Sequence, residues 1–186
     1  MHGITLNPID LFITPLAQIL EDHTATAVSR ALTLSAVDDA TADALSRAAD
    51  IGLAVVDWDR PETHTVPTDE QTFVSITRWA VGGNIAALSW QPSRHWASRP
   101  SVTVGHDGEA IVMGVEARHV TAAEVVAGRL LARGFVETHL EAISAQIDGW
   151  LPTHQRRIRA ATKRRRQLLE EAGALNSASA LDALGN

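Results

Sequence analysis

The chain contains no cysteine. This excludes disulfides, thiol nucleophiles and cysteine-ligated zinc, so any metal would have to be held by histidine and carboxylates. Long apolar runs are absent too: no stretch approaches the roughly 18 consecutive apolar residues of a membrane-spanning helix. The N-terminal MHGITLNPIDLFITPLAQIL lacks a cationic leader and is broken by Pro8, Asp10 and Pro15, so it does not read as a signal peptide, and a cytoplasmic placement is expected by default. Lysine is almost missing. Lys163 stands alone against arginine in a set of 16 basic residues, a bias that with abundant alanine suits a GC-rich bacterial or phage genome but carries no mechanism.

What is present suffices for a folded core. A hydrophobic share of 45% in 186 residues fits one domain of ordinary size, or one domain with a small helical extension. The net charge of −6 conceals an asymmetry, because Arg156, Arg157, Arg159, Lys163, Arg164, Arg165 and Arg166 fall within eleven residues while all 22 acidic residues lie outside that window. An acidic body therefore carries one strongly basic stretch, 153–172, THQRRIRAATKRRRQLLEEA.

That stretch reads as a helix. Thr153 after Pro152 supplies an N-cap, and no further glycine or proline occurs until Gly173, which suits a C′ position. At about 100° per residue, Ile158, Ala161, Leu168, Leu169, Ala172 and Leu175 fall in one apolar sector. Arg156, Arg159, Lys163, Arg164 and Arg166 lie outside it, whereas Arg165 falls within and must snorkel or find a partner. Cations in the first turns of a helix oppose its macrodipole, so an anionic partner is the functional reading of the cluster. The competing reading is internal: the preceding acidic helix, folded back at Leu151 and Pro152, would bring Glu137, Glu141 and Asp148 near the cations.

Before this stretch the chain alternates helical and extended patterns. Thr14–Pro15 opens a helix to about residue 34, with His23 on its apolar side as a core or boundary histidine. Asp38 or Asp39 caps a second helix that stops at Gly52, followed by the apolar strand LAVVDW. Asp57 and Asp59 at its end could hold a divalent metal if the strand continued through them and set both on one face. Residues 60–71, with two prolines, read as a loop. Two hairpins are expected next, one turning at Gly82-Gly83 and one at Asp107-Gly108. In the first, Phe73, Trp79 and Val81 face opposite to Val74 and Ile76; in the second, Val102, Val104, Ile111, Met113 and Val115 share a face.

Arg94, Trp96 and Arg99, on the loop between these hairpins, form a secondary candidate ligand loop, since aromatic and guanidinium groups stack on bases or sugars. A nuclease-like metal pair of Asp107 with Glu116 fails on geometry: seven residues of return strand, at about 3.3 Å each, separate Glu116 from the turn. Thr121 and Glu124 form a capping box for the next helix, which Gly134 is expected to end. A further helix follows with Val136, Leu140, Ile143, Ile147 and Trp150 in a 4-3-4-3 seam. The pair superficially resembles a helix-turn-helix, but its second helix carries acids and no base, against groove insertion.

The expected fold is α+β: two N-terminal helices, an antiparallel sheet of two hairpins plus one strand near 53–58, and a C-terminal three-helix segment ending in a basic amphipathic helix. The expected organisation is an α+β core over 1–134, an antiparallel helical hairpin over 135–172 and a flexible tail over 173–186. The favoured function is non-catalytic binding of an anionic partner, nucleic acid before acidic protein, by Arg156, Arg159, Lys163, Arg164 and Arg166. No catalytic residue, metal or cofactor is assigned. The alternatives are a metal-dependent hydrolase using Asp57 and Asp59, and an assembly protein that oligomerises through its C-terminal helices.

Overall fold

In chain order the elements of the computed structural model are β1 (Thr14–Pro15), α1 (Leu16–Thr33), α2 (Asp39–Arg47), β2 (Ala54–Val56), β3 (Glu62–Pro67), β4 (Phe73–Gly83), a 3-10 turn (Ile85–Ser89), β5 (Trp90–Gln91), β6 (Thr103–His106), β7 (Ala110–Ala117) and α3 (Ala122–Leu184). The structure describes residues 10–37, 39–47, 51–67, 72–93, 100–117 and 120–184. They form a mixed α+β chain of two compact units, Met1–Ala17 with Ile51–Gln146, and Gln18–Asp50 with Ile147–Asn186.

The first unit holds an antiparallel sheet centred on β4. One edge of β4 pairs with β7, and the other pairs with β3 and then β2 in succession; β6 closes the far side of β7. Two hairpins and an additional strand are present, but the first hairpin is β3–β4 and not the one read at Gly82-Gly83. Those glycines are strand residues, paired with Val55 and Ala54. The reason lies at Gly83, whose φ is 71° and where a Cβ would stand 2.4 Å from the Leu53 carbonyl oxygen. Glycine here admits a close backbone approach rather than a turn. Asn84 then donates its backbone N–H to Leu53 O and caps the 3-10 turn by accepting from Ala86 N, so the chain leaves the sheet. Only Trp90–Gln91 becomes extended again, pairing in parallel with β1.

Residues 62–67, expected as loop, form β3. Thr63, Thr65 and Val66 are β-branched, and Pro61 and Pro67 fall at the strand's ends, where the missing N–H removes no interior ladder bond. The second hairpin forms, one residue out of step. His106 pairs with Ile111, which places Gly108 and Glu109 at the turn, with Gly108 at φ 97° as the first central residue. Asp107 Oδ1 accepts from the backbone N–H groups of Glu109 and Ala110, and its carboxylate pairs with Arg78. Moving the turn by one residue shifts the pairing by two, so the expected faces survive: Val104 stands opposite Met113.

The register puts Ser75, Thr77, Trp79, Ile111 and Met113 on one face, and all five are buried. Full burial of each large apolar side chain stabilises by about 1.5 to 3 kcal/mol. The first part of α3 approaches this face at Gly128, where a Cβ would lie 3.0 Å from Val115 Cγ2 and 3.1 Å from Met113 Sδ. Val74, Ile76 and Val112, with Val66 beside them, form a second small core on the opposite face. Phe12 sits at φ 56°, a left-handed conformation costing an L-residue about 1 to 2 kcal/mol. It is held there by its N–H bond to Leu88 O and by stacking on His139, 4.4 Å between ring centroids.

The capping box forms as expected, with Thr121 N–H and Oγ1 both donating to Glu124 Oε2 and Glu124 N–H donating to Thr121 Oγ1. The three C-terminal helices do not. One helix, Ala122–Leu184, runs through both Gly134 and Pro152. Gly134 is exposed, with nothing within 4 Å of where its Cβ would lie, so it is a plain helical glycine costing about 1 kcal/mol relative to alanine. Proline inside a helix costs about 3 kcal/mol. Within the second unit Pro152 is exposed, while neighbouring His154 and Ile158 are buried, and their burial opposes a break there.

Candidate functional site

In the second unit the basic stretch of α3 packs by its apolar side, with Ile158, Ala161 and Thr162 buried. The apolar sector is shorter than its pattern suggested, because Leu168 is exposed. Several of the seven cations have structural partners. Arg157 donates to both carboxylate oxygens of Glu21 at 2.8 Å, and Arg165 donates from Nε to the Leu34 carbonyl at 2.7 Å. Arg165 thus finds the partner its place in the apolar sector required. Arg156 donates to Thr153 Oγ1, one turn back, and stays exposed.

Arg159, Lys163 and Arg164 are exposed and make no side-chain hydrogen bond or ion pair with another described residue. Arg159, Lys163 and the half-buried Arg166 line an open groove of about 550 Å³ beside α2, together with Thr162, Gln167, Ala42, Asp43 and Glu170. Three cations face two carboxylates in this lining. Cationic excess and hydrogen-bonding groups share one concave surface, which is the composition an oxyanion or phosphate requires.

Two premises of the sequence reading change. The macrodipole penalty does not apply, because Arg156 to Arg166 lie deep inside α3 and not in its first turns. Neutralisation by fold-back fails as well, since no turn forms at Leu151–Pro152 to reverse the chain. Asp148 and Arg156 are separated by eight residues of helix, about 12 Å of axis. The carboxylate that does pair with the cluster is Glu21 on α1, and nothing in the sequence marked it, whereas Glu137 takes Arg133 as its i, i+4 partner at 2.8 Å.

The remaining candidates fall elsewhere. Arg94, Trp96 and Arg99 lie outside the described residues, as do Asp38, Arg118 and His119. β2 ends at Val56, so Asp57 and Asp59 do not share a strand face; Asp57 Oδ1 accepts from Asp59 N–H in a local turn and both residues are exposed. Among the described residues no group of three or more histidines and carboxylates is placed to hold a metal ion, and no helix is long and apolar enough to cross a membrane.

Sequence reasoning missed a polar cluster around His154. The Thr24 hydroxyl donates to Leu20 O at 3.0 Å, accepts from Trp150 Nε1 at 3.1 Å and lies 3.0 Å from His154 Nδ1. His154 is 1% exposed and rests on the Trp150 ring at 4.3 Å. Burial lowers its pKa, with His23 and Arg157 adding in the same direction, which favours the neutral imidazole. His23, expected at the core boundary, is exposed. The i, i+4 spacing of Trp150 and His154 was the only available signal, and a partner 130 residues away completes the cluster.

Compared with known protein families, with curated proteins and with solved structures, the chain finds no match.

Proposed function

We propose that the chain is a non-catalytic binding protein that engages an anionic partner, nucleic acid before acidic protein, through Arg156, Arg159, Lys163, Arg164 and Arg166. The observation that carries this reading is the groove of about 550 Å³ in which Arg159, Lys163 and Arg166 converge while the first two lack partners among the described residues. Arg156, Arg159, Lys163 and Arg166 follow 3-4-3 spacing, so they form one row along about 15 Å of helix. Each like-charged neighbour at i+3 or i+4 destabilises the helix by about 0.2 to 0.5 kcal/mol, a repulsion that bound phosphates relieve. With phosphates rising about 3.4 Å apart along one DNA strand, the row spans roughly four of them. A cytoplasmic placement belongs to the same reading.

The test is binding of labelled duplex DNA, single-stranded DNA and RNA across a salt series. Wild type is compared with a variant in which all five residues are replaced by Gln. Contacts to about five phosphates require log affinity to fall with log salt at a slope near −4.5 on duplex, and the variant must lose most of that slope. Absence of binding by wild type at low salt refutes nucleic acid as the partner.

A second reading, self-assembly through α3, draws on Val126, Leu130 and Leu131, which are 52%, 67% and 48% exposed on its first part. Light scattering of wild type against Leu130→Glu tests it, with a fall in mass expected if this face is an interface.

A further inference from the structure

The basic groove has a second wall. Ala42 and Asp43 of α2 line it together with Arg159, Lys163 and Arg166 of α3, all within the second unit. The two carboxylates of the lining, Asp43 and Glu170, stand on different elements. Glu170 continues the row Arg156, Arg159, Lys163 and Arg166 at the next four-residue step of the same helix, so it cannot part from the cations. Asp43 can, because α2 can move.

α2 is a weakly anchored helix. It has nine residues, Asp39–Arg47, below the roughly 12 to 15 at which even a good isolated helix becomes marginally stable in water. None of its described side chains is buried, and only Thr41, Ala42 and Leu45 are half-buried. Charge complements this thin apolar strip, since α2 places the Asp43 carboxylate in a groove where cations outnumber acids. A phosphate chain competes for the same row. It brings about four negative charges along it, against one from Asp43. The Asp43 carboxylate beside those phosphates is a like-charge contact, the kind that suppresses association. The two anionic occupants therefore exclude each other.

We propose that α2 is an autoinhibitory element that holds the place of phosphates on the row, and that a bound nucleic-acid strand displaces it from the groove. The inference rests on the reading of this row as a nucleic-acid surface and adds its regulation. α2 docked and α2 displaced are two states of the second unit, and without ligand the displaced, binding-competent state is the minor one. The apparent affinity is then lowered by the fraction of molecules in which α2 is displaced. With so little of α2 buried, that fraction falls near the upper end of the usual range of roughly 0.1 to 10%, or about one molecule in ten.

Ala44→Pro tests it. Ala44 is exposed in the interior of α2, and proline there breaks the helix without changing its charge. The full chain and this variant are titrated with labelled oligothymidylate at low salt, and the variant is expected to bind about ten-fold more tightly. A second readout follows α2 itself. Because the chain has no cysteine, nitroxide labels can be confined to Ala44→Cys and Glu171→Cys, both at exposed positions of an otherwise unaltered chain. Saturating oligothymidylate is expected to lengthen and broaden the separation of the two labels. Equal affinities of wild type and Ala44→Pro, or a label separation unchanged at saturation, overturn the autoinhibition and leave the nucleic-acid surface standing. Weaker binding by Ala44→Pro also overturns it, since α2 is then part of the site and not its cover. Failure of both chains to bind at low salt overturns the surface and the autoinhibition together.

Discussion

Gly82 and Gly83 separate two folds of the central strand. In a type I′ hairpin turn, which Gly-Gly suits, both central residues require positive φ, and alanine at either position is penalised. In the structure only Gly83 has positive φ, at 71°, and only Gly83 lacks room: a Cβ there would lie 2.4 Å from Leu53 O, whereas nothing stands within 4 Å of one at Gly82. For Gly83→Ala the left-handed backbone costs about 1 to 2 kcal/mol. Relief of the clash requires β2 to move off β4, weakening the Asn84 N–H bond to Leu53 O, about 1 kcal/mol net. Reduced entropy of the unfolded chain returns about 0.4 to 1 kcal/mol. The expected outcome is therefore a loss of about 2 kcal/mol for Gly83→Ala and a gain of about 0.4 to 1 kcal/mol for Gly82→Ala, where only the entropy of the unfolded chain changes. Urea unfolding measures both, and hydrogen exchange of the Asp57 amide, which donates to Ala80 O at 2.9 Å, reports β2 directly. Equal losses for the two variants would refute the continuous strand and restore the turn.

Thr24→Val keeps the shape of the side chain but leaves the Trp150 indole N–H without its buried acceptor and removes the hydroxyl that meets His154 Nδ1. A loss of about 2 to 4 kcal/mol is expected in urea unfolding, with a displaced Trp150 indole resonance. Gly134→Ala, in exposed helix with free space around it, should stabilise by about 0.5 to 1 kcal/mol; a loss would show that α3 does stop there. Burial lowers the pKa values of His106 and His154, opposed at His106 by Asp107, so the unfolded chain takes up these protons at higher pH than the folded one. Stability is fully present above about pH 6.5, the ordinary histidine value, and falls as pH drops through it. The urea midpoint should decrease from pH 7.5 to 5.5, and less steeply in His154→Asn, which does not titrate and keeps a hydrogen-bonding group for Thr24. For Asp107, burial raises the carboxyl, but backbone N–H groups of Glu109 and Ala110 and the Arg78 guanidinium outweigh it, so its contribution is present above about pH 4 and lost below. Acid midpoints of wild type and Asp107→Asn should accordingly converge.

Local chemistry was decided within short windows and was legible in the sequence. The Thr121–Glu124 box, the apolar β2 and the alternating faces of β4 and β7 each depend on neighbours a few residues away, whereas Thr14–Pro15, read as cap and first turn of α1, pairs with Trp90–Gln91 as β1 and the helix starts at Leu16. Arg165 belongs with them, since its place in the apolar sector required a partner. Which long-range contact each segment makes was settled only by the tertiary structure. Gly82-Gly83 has the composition of a turn, but the approach of the Leu53 carbonyl makes it strand. Gly134 and Pro152 have the composition of helix ends, but propensities of about 1 and 3 kcal/mol are small beside the burial along α3. The partners of the basic stretch, Glu21 and the Leu34 carbonyl, and the Thr24–His154 pair come from segments more than a hundred residues away. No local pattern encodes such a pairing, because its energy exists only once the core has brought the two segments together.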